Sequence, residues 1–139
     1  MILNTPAPVI GIEPEIFLRL GVAAVLGMLL GLDREVRGRA AGVRTHGLVC
    51  FASAAMTVSM LALYLQLTAH GGAIRMDPLR IFEAVGSFIG IVGAGLIVFS
   101  KGRLHNLTTA ANLWLAAVIG VACGAGQWPL VIVCAADPF

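Results

Sequence analysis

The sequence predicts an all-α fold: a polytopic membrane helix bundle with four full transmembrane helices and a short, incomplete fifth segment. Composition is the first reason. Of the 139 residues 59% are hydrophobic and only 12% are charged, whereas a soluble domain carries about a quarter of its residues as charged ones. Pattern is the second reason, because the hydrophobic residues fall in long runs. Backbone groups in lipid must be hydrogen-bonded internally, so each run should be a helix.

The four runs cover about 16–32, 47–67, 81–99 and 107–126, and a short apolar segment at 128–136 follows. The second run contains no charge and is long enough to cross a hydrocarbon core of about 30 Å. The last segment contains Pro129 and would cover roughly half of that core. It is predicted to be a re-entrant or interfacial piece, or part of a helix that is complete in a longer protein. We expect one domain over residues 1–139.

The same composition limits the function. Too few polar side chains exist to cover a water-facing surface, which excludes a soluble enzyme and a nucleic-acid-binding protein. The net charge of +2 is too small to indicate a polyanionic partner. Cys50, Cys123 and Cys134 stand singly in apolar surroundings, as small core residues do. We therefore expect no enzymatic activity and no cofactor, with the lipid bilayer as the environment.

Charged residues predict the orientation of the bundle. The stretches 33–46 and 100–105 are basic, whereas the N-terminal tail carries Glu13 and Glu15 and no base. By the positive-inside rule the two basic loops are cytoplasmic and the N-terminus lies outside. The basic residues of the two loops are Arg34, Arg37, Arg39, Arg44, Lys101 and Arg103.

The first basic loop also holds two carboxylates. Asp33 and Arg37 are four residues apart, so they can pair if the first helix continues. Two interpretations stay open. The loop is an anchor whose arginines reach lipid headgroups, or Asp33 and Glu35 form a functional polar cluster that binds a cation at the membrane boundary.

A second polar stretch precedes the third run. Asp77 before Pro78 is a good helix N-cap followed by proline at the first helical position. Arg80 lies three residues from both Asp77 and Glu83, which predicts a small ion-pair ladder. The alternative is a cation site formed by Asp77 and Glu83.

Small residues predict how the helices pack. Three glycine pairs at a spacing of four residues each place a small patch on one helix face. These patches favour packing within the chain, or else a homo-oligomer. The run Gly90–Gly95 lacks the Lys-Ser/Thr of a phosphate-binding loop, so we exclude nucleotide binding there. The pairs are Gly27 with Gly31, Gly86 with Gly90, and Gly120 with Gly124.

Four blocks in this order and spacing resemble the MgtC/SapB membrane family. They are the stretch Gly31–His46, then Asp77-Pro-Leu-Arg-Ile81, Gly90-Ile-Val-Gly-Ala-Gly95 and Leu107-Thr-Thr-Ala-Ala-Asn-Leu-Trp114. The likeness covers residues 17 to 126. It identifies as functional candidates Asp33, Arg34, Glu35, Arg37, Gly42, Arg44, Thr45, Asp77, Pro78, Arg80, Gly90, Gly93, Gly95, Thr108, Thr109 and Trp114.

The resemblance implies a bacterial inner-membrane protein linked to growth in limiting magnesium and, in intracellular pathogens, to virulence. Members of the family usually have a complete fifth helix, and many continue into a soluble domain; this sequence departs from that pattern. Asn106 also stands where the family more often has glycine.

Two functions follow. One is regulation of a membrane partner, such as an ATPase or the ATP synthase, or of membrane energetics. The alternative is a small oligomeric transporter or channel that passes Mg²⁺ along Asp33, Glu35 and Asp77, because Mg²⁺ prefers oxygen ligands. No carboxylate lies in the middle of a predicted span, which favours regulation over conduction.

Overall fold

A computed structural model describes residues 14–69 and 77–136 of the chain. Over these residues the fold is helical, as predicted, with one small addition: a β-hairpin between the third and fourth helices. The elements in chain order are α1 (Pro14–Val36), α2 (Val43–Ala69), α3 (Arg80–Leu96), β1 (Val98–Ser100), β2 (Arg103–His105), α4 (Leu107–Gly124) and α5 (Trp128–Ala136).

Three helices, α1, α2 and α4, are long and apolar enough to cross a membrane. Helix α3 has 17 residues, which corresponds to a length of about 26 Å. It stops at Leu96, so the predicted helical run to residue 99 is wrong at its C-terminal end. Four complete spans therefore stay a prediction. The short apolar segment forms a nine-residue helix, α5, with Pro129 in its first turn, a position that proline tolerates.

The hairpin replaces the end of the third predicted helix. Val98 pairs with His105 and Phe99 with Leu104, in antiparallel register. Lys101 and Gly102 form the two-residue turn, with φ of 50° and 74°. Positive φ at both central residues matches the right-handed twist of hairpin strands, so the chain here leaves the helix and reverses.

Helix α2 lies between α1 and α4, and glycine residues mediate both contacts. A Cβ on Gly27 would stand 2.6 Å from the His46 carbonyl oxygen, and one on Gly31 would stand 2.6 Å from the Gly42 carbonyl oxygen. On the other side, a Cβ on Gly120 would stand 2.2 Å from the Cys50 oxygen. Backbones this close need residues without a side chain. These glycine pairs therefore pack within the chain.

The third glycine pair behaves differently. Gly86 faces the indole of Trp114, at 3.2 Å from its added Cβ, whereas a Cβ on Gly90 would meet nothing within 4 Å. Gly95 is equally open. The predicted patch on α3 is thus divided: Gly86 packs against α4, and Gly90 faces outward.

The contacts also fix the helix directions. Gly120 meets Cys50 and Gly124 meets Ala54, so α2 and α4 run the same way. The glycine contacts of α1 with α2 run in opposite order along the two helices, so α1 is antiparallel to both. The loop between α1 and α2 therefore lies at the same end of the bundle as the start of α4. We call this the loop end.

Candidate functional site

The α1–α2 loop is a short, hydrogen-bonded turn. Arg37 donates from its backbone to the Asp33 carbonyl and Arg39 to the Arg34 carbonyl, at 3.2 and 2.9 Å. Between them Gly38 has a φ of 64°, the left-handed conformation that commonly ends helices. The loop thus reverses the chain within a few residues and brings the start of α2 against the end of α1.

Both loop carboxylates are engaged inside the loop. Asp33 pairs with Arg37 at 2.9 Å, which confirms the predicted ion pair. Glu35 Oε2 accepts a hydrogen bond from the backbone N–H of Val43 at 2.9 Å. Val43 is the first residue of α2, so Glu35 satisfies one of the free donors at that helix start. Gly42 leaves room for this carboxylate, because a Cβ there would stand 2.7 Å from Oε2.

Arg34 points inward, unlike the other arginines of the loop. It is 9% exposed and packs with the core face of α1. His46, in the first turn of α2, is fully buried, and its Nδ1 lies 3.0 Å from the Gly42 carbonyl oxygen. Nothing in the local sequence indicates that His46 is buried, since its neighbours include Arg44 and Thr45.

The remaining basic side chains form an exposed rim around the loop. Arg37, Arg39 and Arg44 are exposed, and Thr45 is half-buried. The hairpin contributes Lys101 and Arg103, both exposed, before α4 starts. The loop end therefore combines a basic surface with a buried guanidinium beneath it.

Asp77 lies at the opposite end of the bundle. Its Oδ1 accepts a hydrogen bond from the Leu79 backbone N–H at 3.0 Å, inside the turn that precedes α3. The N-cap position of α3 is Leu79, which makes no side-chain cap bond, so the predicted N-cap at Asp77 is wrong. The helix itself begins at Arg80 rather than at Pro78, because the preceding residues form a tighter turn with bonds three residues apart. The Arg80–Glu83 pair is 3.9 Å long and exposed on both sides.

The three candidate cation ligands are therefore not assembled into one site. Asp33 and Glu35 lie at the loop end. Asp77 lies at the opposite end of the bundle, separated from them by the length of α2. Within residues 14–69 and 77–136, no group of three or more His, Cys, Asp or Glu side chains could hold a metal ion.

The other candidates lie along α3 and α4. Gly93 is buried against Ala110, at 3.5 Å from an added Cβ. Thr108 is exposed, whereas Thr109 is 1% exposed. Trp114 lines an apolar cavity of about 130 Å³ between α3, α4 and α5. These residues shape the helix contacts near the loop end and beside the cavity, rather than a polar pocket.

Arg19 has a role that the sequence did not predict. Its Nη1 donates to the Gly124 carbonyl oxygen at 2.8 Å, and its guanidinium pairs with Glu15. The available signal was a single arginine close to the start of an otherwise apolar run. A charged residue there needs a partner, and the C-terminus of α4 supplies it.

Comparison with known proteins identifies relatives of this chain. The MgtC family model matches residues 20–136. Protein SapB of Bacillus subtilis is 36% identical over 116 residues, covering 83% of this chain and 50% of its own length. The putative magnesium transporter YhiD of Escherichia coli K12 is 34% identical over 125 residues, covering 85% and 54%. Protein MgtC of Salmonella typhimurium LT2 is 37% identical over 124 residues, covering 85% and 49%.

The chain thus spans about half the length of the curated relatives it matches. No solved structure gave a significant match. Since the family match covers most of the chain and each of these relatives exceeds 30% identity, the chain belongs to the MgtC family.

Proposed function

We propose that this protein is an inner-membrane protein that supports growth and survival in low magnesium by regulating a membrane partner or membrane energetics. The family supports the link to magnesium, because one relative is named a putative magnesium transporter. The membrane environment is supported by three helices of sufficient length and hydropathy. An ATPase or the ATP synthase is the class of partner that the family resemblance suggests.

The observation that carries this proposal is the engagement of both loop carboxylates within the protein. Asp33 is paired with Arg37 and Glu35 caps α2. A Mg²⁺ ion is bound through carboxylates and retained waters. Binding it here would break an ion pair or release a helix cap. The carboxylates therefore act best as clamps that hold the loop in one shape for a partner.

Packing between the long helices gives a second argument for regulation. The glycine contacts bring the backbone of α2 against both α1 and α4. Between Arg19 and Asp33, α1 carries no charged residue, and the run 47–67 in α2 carries none. The buried side chains Ser53 and Thr57 of α2 offer hydroxyl groups beside α4. Mg²⁺ prefers carboxylate oxygens, and these stretches of α1 and α2 and all of α4 carry no carboxylate.

The orientation with the N-terminus outside is part of the proposal. The loop end gathers Arg37, Arg39, Arg44, Lys101 and Arg103 on one side of the bundle. The opposite end carries Glu15, Asp77 and Glu83, with Arg19 and Arg80 paired to acids there. By the positive-inside rule the loop end faces the cytoplasm, where a partner's cytoplasmic surface is accessible.

Transport is the second candidate, and one observation favours it. Gly90 and Gly95 face outward from α3, because a Cβ on either would meet nothing within 4 Å among residues 14–69 and 77–136. Small residues on an exposed membrane face allow close contact with another helix. In an oligomer joined through α3, a path for a cation would run between copies rather than through one bundle.

A growth assay tests whether the loop is functional. Asp33→Ala in a strain that lacks the native protein should abolish growth support in low magnesium while membrane abundance stays unchanged. Glu83→Ala is the matched control, because Glu83 is an exposed carboxylate in a weak pair at the other end. Loss of the Asp33→Ala protein from the membrane would show a purely structural clamp and contradict the proposal.

A further inference from the structure

Among residues 14–69 and 77–136, two buried polar atoms at the loop end find no hydrogen-bond partner: Arg34 Nε and His46 Nε2. Both residues are at least nine-tenths buried, at 9% and 0% exposure. Within residues 14–69 and 77–136, no carboxylate pairs with Arg34. Leaving a guanidinium buried without an anion is costly, which indicates that a group outside these residues satisfies it.

The hydrogen-bonding roles of these two atoms are defined. The Gly42 carbonyl oxygen can only accept, so His46 Nδ1, at 3.0 Å from it, carries the proton. In the neutral ring Nε2 is then an acceptor. Arg34 Nε–H is a donor, and Arg34 lies one turn after Gly31 on the buried face of α1 that packs against Gly42, the residue that His46 contacts. A ligand between them must accept from Arg34 and donate to His46.

The start of α4 adds further donors at the same level. Arg19 of α1 meets Gly124 of α4, and the two helices are antiparallel. Arg34 comes fifteen residues after Arg19, and Thr109 comes fifteen residues before Gly124. Equal rise per residue places Arg34 at about the height of Thr109, which is 1% exposed. The first N–H groups of a helix are free donors and favour an anion.

We infer that Arg34 and His46 form a site for a protonated phosphate group, either hydrogen phosphate or a phosphomonoester. Its anionic oxygens accept from the guanidinium, and its remaining P–O–H donates to His46 Nε2. A phosphodiester neutralises Arg34 but has no hydroxyl on phosphorus for the imidazole. A water molecule satisfies the hydrogen bonds of Arg34 Nε and His46 Nε2 but leaves the charge of Arg34 uncompensated. The phosphate group comes either from free phosphate or from the headgroup of phosphatidic acid. This inference does not rest on the proposed function.

The test uses the full chain, labelled with ¹⁵N-histidine, in phosphatidylcholine nanodiscs. The His46 ring resonances are assigned with His46→Gln and followed during titration with inorganic phosphate. In separate nanodiscs, phosphatidic acid is compared with phosphatidylglycerol, whose phosphate is a diester. Free phosphate as the source predicts a saturable shift on titration. The lipid as the source predicts a shift with phosphatidic acid that phosphatidylglycerol does not reproduce.

Variants separate this site from general attraction to a basic surface. Arg34→Lys keeps the charge but removes the Nε–H donor, and it should weaken binding about tenfold, as loss of one charge-assisted hydrogen bond does. Arg37→Gln, on the exposed rim, should bind as the wild type does. The inference is overturned if neither probe shifts the wild-type His46 resonances, or if Arg37→Gln loses as much binding as Arg34→Lys. The wild-type titration tests the inference even if the Arg34→Lys variant fails to fold.

Discussion

Arg19 Nη1 donates a hydrogen bond to the Gly124 carbonyl oxygen at 2.8 Å, which joins the N-terminal part of α1 to the last residue of α4. The same guanidinium pairs with Glu15 one turn earlier, with Nε 3.0 Å from Oε1. A cation at a helix C-terminus also interacts favourably with the helix dipole. This contact sets the relative height of α1 and α4, and therefore what Arg34 meets at the loop end.

Arg19→Ala should lower the free energy of unfolding by about 1.5–3 kcal/mol, the usual worth of a hydrogen bond to a charged group. The measurement is equilibrium unfolding in mixed micelles, followed by circular dichroism. Arg80→Ala is the control, because its exposed pair with Glu83 should contribute less than about 1 kcal/mol. Equal losses in the two variants would contradict the role given to Arg19.

Glu35 provides a test of the loop clamp. Glu35→Ala removes the acceptor for the Val43 N–H and should cost about 0.5–2 kcal/mol, as loss of a helix N-cap does. Glu35→Gln keeps an acceptor oxygen and should retain most of that stability. Unfolding of the two variants side by side is the measurement. If Glu35→Gln were as unstable as Glu35→Ala, the charge and not the cap would be responsible.

The glycines of α4 should tolerate no side chain. Gly120→Ala places a Cβ 2.2 Å from the Cys50 carbonyl oxygen, so the helices must separate, at a cost of about 1–3 kcal/mol. Gly90→Ala meets nothing within 4 Å and should be neutral or stabilising, because alanine is the better helix former. Thermal unfolding of both variants measures the difference. Similar melting temperatures would contradict the close contact of α2 and α4.

Asn106 joins the hairpin to α4 in a left-handed conformation, with φ of 64°. Its Nδ2 donates to the Leu96 carbonyl oxygen at 3.1 Å, which caps the end of α3. Asn106→Ala loses this bond and strains the backbone, so it should cost about 1–2 kcal/mol. Asn106→Gly loses the bond but adopts the conformation easily, and unfolding should show a smaller loss. The reverse order would contradict this account.

Outward glycines on α3 provide the test of self-association. Gly90→Leu should reduce cross-linking between copies if α3 is an oligomer face, because a large side chain prevents close approach. Gly27→Leu is not equivalent, since Gly27 packs on α2 and its replacement disturbs the bundle itself. Cross-linking in membranes at equal expression is the measurement. Unchanged cross-links in Gly90→Leu would exclude this face and weaken the transport alternative.

The sequence predicts the positions of the helices well because its long hydrophobic runs determine them. It does not predict the hairpin, since a short apolar run such as Val98–Ser100 cannot be distinguished from helix by periodicity. Lys101-Gly102 was the available turn signal. Position 106, with φ of 64°, needs a residue that adopts the left-handed conformation. Asparagine is among the residues that tolerate this conformation best.

In the candidate site, sequence spacing predicts the contacts within one helix, but it does not predict the contacts between helices. The Asp33–Arg37 pair is local, so sequence spacing predicts it, and Asp77 also bonds locally, to the Leu79 backbone. The Glu35 bond to Val43 and the burial of His46 depend on how α2 returns against α1. Nothing in the local sequence encodes that return, so the burial of Arg34 and His46 can be recognised only from the folded structure.

Magnesium flux into liposomes that contain the purified, monodisperse protein tests the central claim most directly, with Asp33→Ala as the control. Regulation without conduction predicts no saturable flux above empty liposomes from folded wild-type protein, and none from the variant. Saturable Mg²⁺ flux that Asp33→Ala abolishes would contradict this account and make the loop carboxylate part of an ion path.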